Sequence, residues 1–127
     1  MPRPPFRADH VGSFLRPERL REARERFAAG GLPAAELHAI EDACIREVVR
    51  AQEDVGLKGI TDGEFRRTFF HVDFLERFEG VETHYGEFVA KFRKDDGSEV
   101  GFKPPTMHVG SKVKWVGPIQ GSDFDFL

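Results

Sequence analysis

An apolar repeat in the first half of the chain limits its possible folds more than any other feature. Apolar side chains recur every three or four residues and stop at a glycine: Leu37, Ile40, Cys44, Val48, Ala51, Val55 and Gly56. This spacing predicts one long helix that begins near Pro33 and ends at Gly56. It places Cys44 in the middle of the apolar face, where a thiol packs as a small hydrophobic group. We therefore predict that Cys44 is a core residue and not a metal ligand.

The segments around this helix predict a β-α-β arrangement. Residues 6–14 are typical of a short strand that runs into a glycine turn, and residues 57–61 of a short buried strand. A second, shorter helix is predicted over residues 17–30. Since crossover connections make the two strands parallel, the turns at 12–13 and 62–64 should emerge at the same sheet edge. Ligands of α/β folds bind at that edge.

The second half of the chain is richer in β signals. A helix is predicted over residues 65–78 from its apolar spacing. Residues 88–93 and 99–103 flank an Asp-Asp-Gly-Ser turn at 95–98, which predicts a hairpin, and a further strand is predicted over 107–116.

These elements do not complete a sheet. Residues 119–127 carry three large apolar residues among the last four and no predicted closing element. Two parallel strands and a β-rich segment need further strands to close. The sequence therefore predicts an α/β fold that is incomplete in this chain, with residues 1–86 forming two β/α units and residues 87–127 an antiparallel β excursion.

Composition excludes several classes of partner. Nineteen Lys and Arg against 22 Asp and Glu give a net charge of −3, which disfavours nucleic acid. No apolar run approaches the roughly 20 residues of a membrane-spanning helix, and the start of the chain lacks the apolar middle of a signal peptide. We expect a soluble, cytoplasmic protein. Ten of the 13 Phe residues lie at or after Phe65, which predicts exposed apolar surface and self-association.

Ser13 is the first candidate ligand-binding residue. It follows Gly12 at the end of a predicted strand, where the backbone can approach a ligand and free N–H groups can bind a carboxylate. A tight turn in which Ser13 caps the following helix explains the same pattern equally well. No Gly-x-Ser-x-Gly sequence surrounds Ser13, so a nucleophilic serine is not expected.

Glu64 is the second candidate. It lies just beyond a predicted strand beside Asp62, and two carboxylates there could hold an ammonium group or a metal ion, or share a proton. Acids are also favoured in the first turn of a helix, and Arg66 and Arg67 could neutralise both carboxylates without a ligand. Taken alone, these residues favour the structural explanation.

The remaining charged residues give weaker signals. The five histidines are scattered, and no pair has the spacing of metal ligands on one element. His10 is of interest because it precedes Gly12 at the predicted site edge. The arginines between Arg16 and Arg26 are balanced by glutamates, which predicts a solvated helix face.

Two segments together resemble a known family. Residues 7–17, Arg-Ala-Asp-His-Val-Gly-Ser-Phe-Leu-Arg-Pro, and residues 59–67, Gly-Ile-Thr-Asp-Gly-Glu-Phe-Arg-Arg, are similar to the first two strand-loop motifs of the catalytic barrel of cobalamin-independent methionine synthase. The similarity is closer to short single-barrel relatives, often named 5-methyltetrahydropteroyltriglutamate-homocysteine methyltransferase. It runs across essentially the whole chain, and residues 103–105 fit the β excursion of that family before its third barrel strand.

The resemblance implies a fold, a reaction and a set of site residues. The fold is the N-terminal portion of a (β/α)8 barrel, and the reaction is methyl transfer from a methylfolate or a corrinoid protein to the sulfur of homocysteine or a related thiol. A zinc ion would bind that sulfur as thiolate. The residues implied to hold the amino-acid portion are Val11, Gly12, Ser13 and, for the ammonium group, Glu64, with His10, Asp62 and Arg66 supporting them.

The resemblance also implies what this chain lacks. The zinc ligands of the family lie on later strands, and Cys44 matches none of them. A barrel of this kind needs roughly 250 residues, so we expect an N-terminal part of a methyltransferase. Two alternatives remain. The chain is a non-catalytic, self-associating half-site for an amino acid, or its parent is a relative in the same barrel superfamily with another substrate.

Overall fold

The computed structural model describes residues 10–127. Its helices in chain order are α1 (Glu18–Ala28), α2 (Ala34–Asp54), α3 (Val72–Leu75) and α4 (Gly121–Phe126). Its strands are β1 (Glu79–Tyr85), β2 (Ala90–Arg93), β3 (Glu99–Phe102) and β4 (Pro105–Lys114). Helices and antiparallel strands occur together, which agrees with the α/β class expected from the sequence.

The chain divides into two compact units. The first, which we call the helical unit, holds the described residues up to Arg67 together with Ser122–Leu127. The second, the strand unit, is Thr68–Gly121. The division at residues 86 and 87 into barrel units and excursion stays a prediction. Among the described residues 10–127, every helix is too short or too polar to span a lipid bilayer.

Helices α1 and α2 form where the apolar spacing predicted them. Each begins directly after a proline, Pro17 for α1 and Pro33 for α2, whose carbonyl accepts hydrogen bonds from the third and fourth N–H groups of the helix. The core between them consists of Leu20, Ala23, Leu32, Leu37, Cys44, Ile45 and Phe65. Cys44 is 1% exposed and its Sγ accepts a hydrogen bond from Arg19 Nε at 3.2 Å, so the prediction that it is a core residue is confirmed.

The predicted strand over residues 57–61 is wrong. The backbone there pairs with a side chain instead of a neighbouring strand. Gln52 Nε2 donates to the Thr61 carbonyl at 2.8 Å, and the Thr61 N–H donates to Gln52 Oε1 at 3.0 Å. Gln52 is 2% exposed on α2. One buried amide therefore satisfies both backbone groups of Thr61 as a strand partner would.

No parallel pair of strands is present in the part of the chain that the structure describes, so the predicted βαβ unit is not observed. Of the predicted first strand, residues 10–14 are not in a strand, and residues 6–9 lie outside the described residues.

The strand unit contains two separate two-stranded sheets. Strand β1 pairs antiparallel with β4, and β2 pairs antiparallel with β3. The predicted hairpin over 88–103 and the strand predicted over 107–116 are thus confirmed, with small differences at their ends. Strand β1 was not predicted.

The helix predicted over residues 65–78 is reduced to α3. The carboxylate of Asp73 accepts hydrogen bonds from the N–H groups of Thr68 at 3.2 Å and Phe69 at 2.9 Å. These bonds hold the preceding backbone in a turn, and the helix begins only at Val72.

The expectation that residues 119–127 contain no closing element is wrong. Helix α4 lies there, and Phe126 packs against the core of the helical unit. The guanidinium groups of Arg46 and Arg66 each lie 4.9 Å from the centre of the Phe126 ring, which is cation–π distance.

Candidate functional site

The two segments that carry the sequence motifs meet in the helical unit. The Phe14 N–H donates to the Gly63 carbonyl at 3.1 Å, which joins the turn after His10 to the turn after Thr61. Gly63 has φ +68°, and a Cβ there would come within 3.2–3.3 Å of the rings of Phe14 and Phe65. A side chain at this position would be strained by the positive φ, and its Cβ would need the two rings to shift by a few tenths of an ångström.

Arg16 bridges the two turns. Its Nη1 donates to Ser13 Oγ at 3.3 Å, and its Nη2 donates to the carbonyls of Glu64 at 3.0 Å and Arg67 at 2.6 Å. One planar guanidinium thus holds the Ser13 hydroxyl and the backbone of the second turn together. Ser13 and Glu64, predicted from separate motifs, are neighbours in space.

Glu64 has an unusual backbone. Its φ is +57°, in the left-handed region that non-glycine residues seldom occupy. Its N–H donates to Asp62 Oδ1 at 2.9 Å, so Asp62 contacts the Glu64 backbone. The Glu64 side chain is 20% exposed, and its Oε1 lies 3.9 Å from Arg67 Nη1. This carboxylate is half-buried and near one cation, beyond hydrogen-bond distance.

The first turn is open to solvent. Val11, Gly12 and Ser13 are exposed, with Val11 at 89%. The ring of His10 stacks on Phe14 at 3.6 Å between centroids, and its Nε2 lies 2.7 Å from the Gly12 carbonyl. His10 therefore contacts both the turn, at Gly12, and the Phe14 ring that follows it.

Arg66 does not lie with the other candidates. Its guanidinium contacts carboxylates of α2 and α4, with nitrogen–oxygen distances of 2.6 Å to Asp42, 3.2 Å to Asp123 and 3.6 Å to Glu41. Its side chain is 14% exposed. The proposed neutralisation of Asp62 and Glu64 by Arg66 is therefore not what the structure shows.

The prediction that the arginines from Arg16 to Arg26 form a solvated face is wrong for two of them. Arg24 donates to the carbonyls of Phe65 and, at 3.2 Å, Arg67, and it pairs with Glu41 at 3.0 Å. Arg16 makes the bridge described above. Sequence reasoning missed both as site residues. The available signal was that Arg16 precedes Pro17 and so lies before the start of helix α1 at Glu18.

The structure also brings together two histidines that the sequence scatters. His84 on β1 and His108 on β4 have ring centroids 5.7 Å apart, and His84 Nε2 lies 3.3 Å from Glu82 Oε2. Within residues 10–127, however, no three His, Cys, Asp or Glu side chains are grouped so that they could hold a metal ion.

Comparisons with known proteins identify relatives of this chain. No protein-family model matches it. The chain is 53% identical over 78 residues to the uncharacterized protein YxjH of Bacillus subtilis, covering 61% of this chain and 21% of that protein. It is 45% identical to YxjG of the same organism, covering 80% of this chain and 27% of YxjG.

Named enzymes are also among the relatives. The 5-methyltetrahydropteroyltriglutamate–homocysteine methyltransferase of Thermotoga petrophila is 30% identical over 116 residues, covering 91% of this chain and 15% of that enzyme. A crystal structure from Listeria monocytogenes, described as a candidate vitamin-B12-independent methionine synthase, is 55% identical with a TM-score of 0.56. That match covers 61% of this chain and 24% of the Listeria chain.

These matches relate the chain to a class of proteins that are named homocysteine methyltransferases. More particularly, the Thermotoga relative has the name of a cobalamin-independent methionine synthase and the Listeria structure is described as a candidate one, so the family resemblance carried by the two motifs is confirmed. The chain spans between 15% and 27% of the length of the three relatives described.

Proposed function

We propose that this chain contributes the homocysteine-binding part of a methyltransferase that makes methionine. The observation that carries the proposal is the junction of the two motif turns, where Arg16 bonds both Ser13 and the Glu64 backbone. That junction brings the exposed turn at residues 11–13 beside the backbone of Glu64, whose side chain is 20% exposed. A turn of this kind suits a carboxylate ligand, and Glu64 suits an ammonium group, which are the two charged ends of an amino acid.

We propose the following roles for the residues of the site. Val11, Gly12 and Ser13 bind the carboxylate end, and Glu64 pairs with the ammonium group. Asp62 holds the Glu64 backbone and His10 supports the first turn. We leave Arg66 out of the proposed site, because its guanidinium is engaged with carboxylates on α2 and α4.

The whole reaction requires groups that the described residues do not supply. The zinc ion implied by the family would activate the homocysteine thiol, but residues 10–127 do not fit a zinc site, so no step through zinc is assigned to them. The methyl donor is a methylfolate or a corrinoid protein. The placement of the chain at the start of a (β/α)8 barrel is likewise part of this proposal.

The alternative of a non-catalytic half-site is less well supported, since the named relatives are methyltransferases. Self-association stays a prediction. It is consistent with exposed aromatic side chains such as Phe88 at 71% and Trp115 at 68%.

The test uses a longer protein in which residues 1–127 are followed by the part of YxjG that lies beyond the match; we call it the extended protein. It is supplied with L-homocysteine, zinc and either 5-methyltetrahydrofolate or a methylated corrinoid, and methionine is measured by mass spectrometry. We expect methionine from the extended protein and a large loss with Glu64→Gln. The matched control is Glu53→Gln, which changes an exposed carboxylate on α2 and should retain full activity. No methionine with either donor, from a folded and zinc-loaded extended protein, would refute the proposal.

A further inference from the structure

The backbone of Glu64 is held from both sides in a conformation that its side chain disfavours. At φ +57° the residue lies in the left-handed region, directly after Gly63 at φ +68°. The Glu64 N–H is fixed by Asp62 Oδ1 at 2.9 Å, and the Glu64 carbonyl is fixed by Arg16 Nη2 at 3.0 Å. A residue keeps a strained backbone conformation only when the surrounding structure fixes it, and such residues occur disproportionately at functional sites.

Arg16 fixes more than one point of this turn. The same Nη2 also donates to the Arg67 carbonyl at 2.6 Å, three residues further along the chain. The two carbonyls and the Ser13 hydroxyl therefore converge on one guanidinium. A planar group with several donors in fixed directions can do this, whereas the single ammonium group of a lysine cannot span the same set.

We propose that Arg16 and Asp62 are positioning residues that hold Glu64 in its left-handed conformation, so that its carboxylate faces the amino group of homocysteine at the Ser13 turn. This inference rests on the proposed function and adds to it the residues that orient the ligand-binding acid. The nearby cation Arg67 lies 3.9 Å from Glu64 Oε1, which leaves the carboxylate able to accept a shorter bond from an ammonium group.

The first experiment measures the positioning without any ligand. Glu64→Ala removes the carboxylate and keeps the unfavourable backbone, whereas Glu64→Gly removes the carboxylate and the strain together. The difference between their urea unfolding midpoints therefore reports how firmly the left-handed conformation is imposed. We expect Glu64→Gly to unfold at higher urea than Glu64→Ala.

The difference should shrink when either positioning residue is changed. Combining each Glu64 variant with Arg16→Lys or Asp62→Ala frees the backbone, so the advantage of glycine falls. Asp62→Asn keeps the Oδ1 acceptor and should retain the advantage. Arg21→Lys changes an exposed arginine of α1 that pairs with Glu18, and serves as the matched control. An unchanged difference in Arg16→Lys would refute the positioning role.

The second experiment connects the positioning to the ligand. L-homocysteine is titrated into the 15N-labelled 127-residue chain, and its dissociation constant is read from amide chemical shifts. We expect Arg16→Lys to weaken binding about fivefold or more, the scale of one lost hydrogen bond. In a Glu64→Gln background the same Arg16→Lys change should have no further effect, because Arg16 acts through Glu64.

The outcomes separate the two proposals. If Arg16 had only a structural role, Arg16→Lys would lower the urea midpoint and leave the homocysteine affinity of the folded chain unchanged. That result would refute the positioning role in binding. Additive effects of Arg16→Lys and Glu64→Gln would refute it as well. If the unaltered chain shows no shifts with homocysteine, the proposed function fails, while the urea comparison still decides whether Arg16 and Asp62 impose the Glu64 conformation.

Discussion

Replacing Gln52 with leucine tests how the second motif is anchored. The Gln52 side chain is buried and makes hydrogen bonds to both backbone groups of Thr61, at 2.8 Å and 3.0 Å. Thr61 in turn accepts the Gly63 N–H on its hydroxyl at 3.2 Å, so Gln52 supports the start of the turn that carries Glu64. Gln52→Leu keeps most of the side-chain volume and removes both bonds.

The expected loss of stability follows from those two bonds. A buried backbone group left without a partner costs about 1–3 kcal/mol. Since Thr61 is only half-buried, water can reach it in part, and we expect the free energy of unfolding to fall by about 2–4 kcal/mol in total. The loss is measured by urea unfolding, followed by circular dichroism at 222 nm.

A second measurement locates the effect. Amide hydrogen exchange at Thr61 should become faster in Gln52→Leu, since its N–H loses its acceptor. Glu53→Gln alters the neighbouring exposed residue and should change stability by less than about 0.5 kcal/mol. A Gln52→Leu loss below about 1 kcal/mol with unchanged exchange at Thr61 would refute the anchoring role.

Three further predictions concern other parts of the chain. Cys44→Ser should cost about 1–3 kcal/mol in urea unfolding, because it buries a hydroxyl where a thiol now packs, and should leave the zinc content of the extended protein unchanged; lost zinc would contradict the core assignment. Glu41→Gln should cost about 3 kcal/mol, because two largely buried guanidinium groups lose a charged partner that is 5% exposed; a neutral effect would contradict this. Hydrogen bonds from the hydroxyl and the N–H of Ser98 hold the pKa of Asp96 below its usual value. These bonds therefore stabilise the turn at pH values above the ordinary aspartate pKa, and the stabilisation is lost as the pH falls through the lowered pKa of Asp96. Ser98→Ala should therefore raise the pKa of Asp96 in a carboxyl 13C NMR titration, and an unchanged midpoint would contradict the assignment.

The helices were predictable because their determinants are local. The apolar period of α2, the prolines before α1 and α2, and Gly56 after α2 can all be read within one segment. The same holds for the β2–β3 hairpin, whose turn residues lie between its strands. Strand β1 also had a signal, since Val81, Thr83 and Tyr85 alternate with more polar residues, although Gly80 and a bulge interrupt its start.

The strand predicted at 57–61 failed because its hydrogen-bonding partner is a side chain on α2. Nothing in the apolar pattern of that segment distinguishes a neighbouring strand from the amide of Gln52. Helix α4 was missed for a similar reason. It is short, and its residue Phe126 packs on a core whose residues lie far away in the sequence.

In the candidate site, too, features set by nearby residues could be predicted and contacts between distant residues could not. Turn chemistry together with the family resemblance indicated Ser13 and Glu64, and the two turns do lie together, through direct contact and not through parallel strands. The residues that join them could not be foreseen in the same way, because the carbonyl partners of Arg16 lie 48 and 51 residues away. Every residue has a backbone carbonyl, so the sequence does not indicate which carbonyls an arginine will contact.

The most direct test of the central claim is the affinity of the 127-residue chain for L-homocysteine, compared with Glu64→Gln and with 4-mercaptobutyrate, which lacks the amino group. If Glu64 pairs with the ammonium group, L-homocysteine should shift the amide signals of Gly12, Ser13 and Gly63. Glu64→Gln should then weaken binding by roughly 10- to 160-fold, and 4-mercaptobutyrate should bind correspondingly weakly. Equal affinity of the unaltered chain and Glu64→Gln, or of the two thiols, would contradict the account.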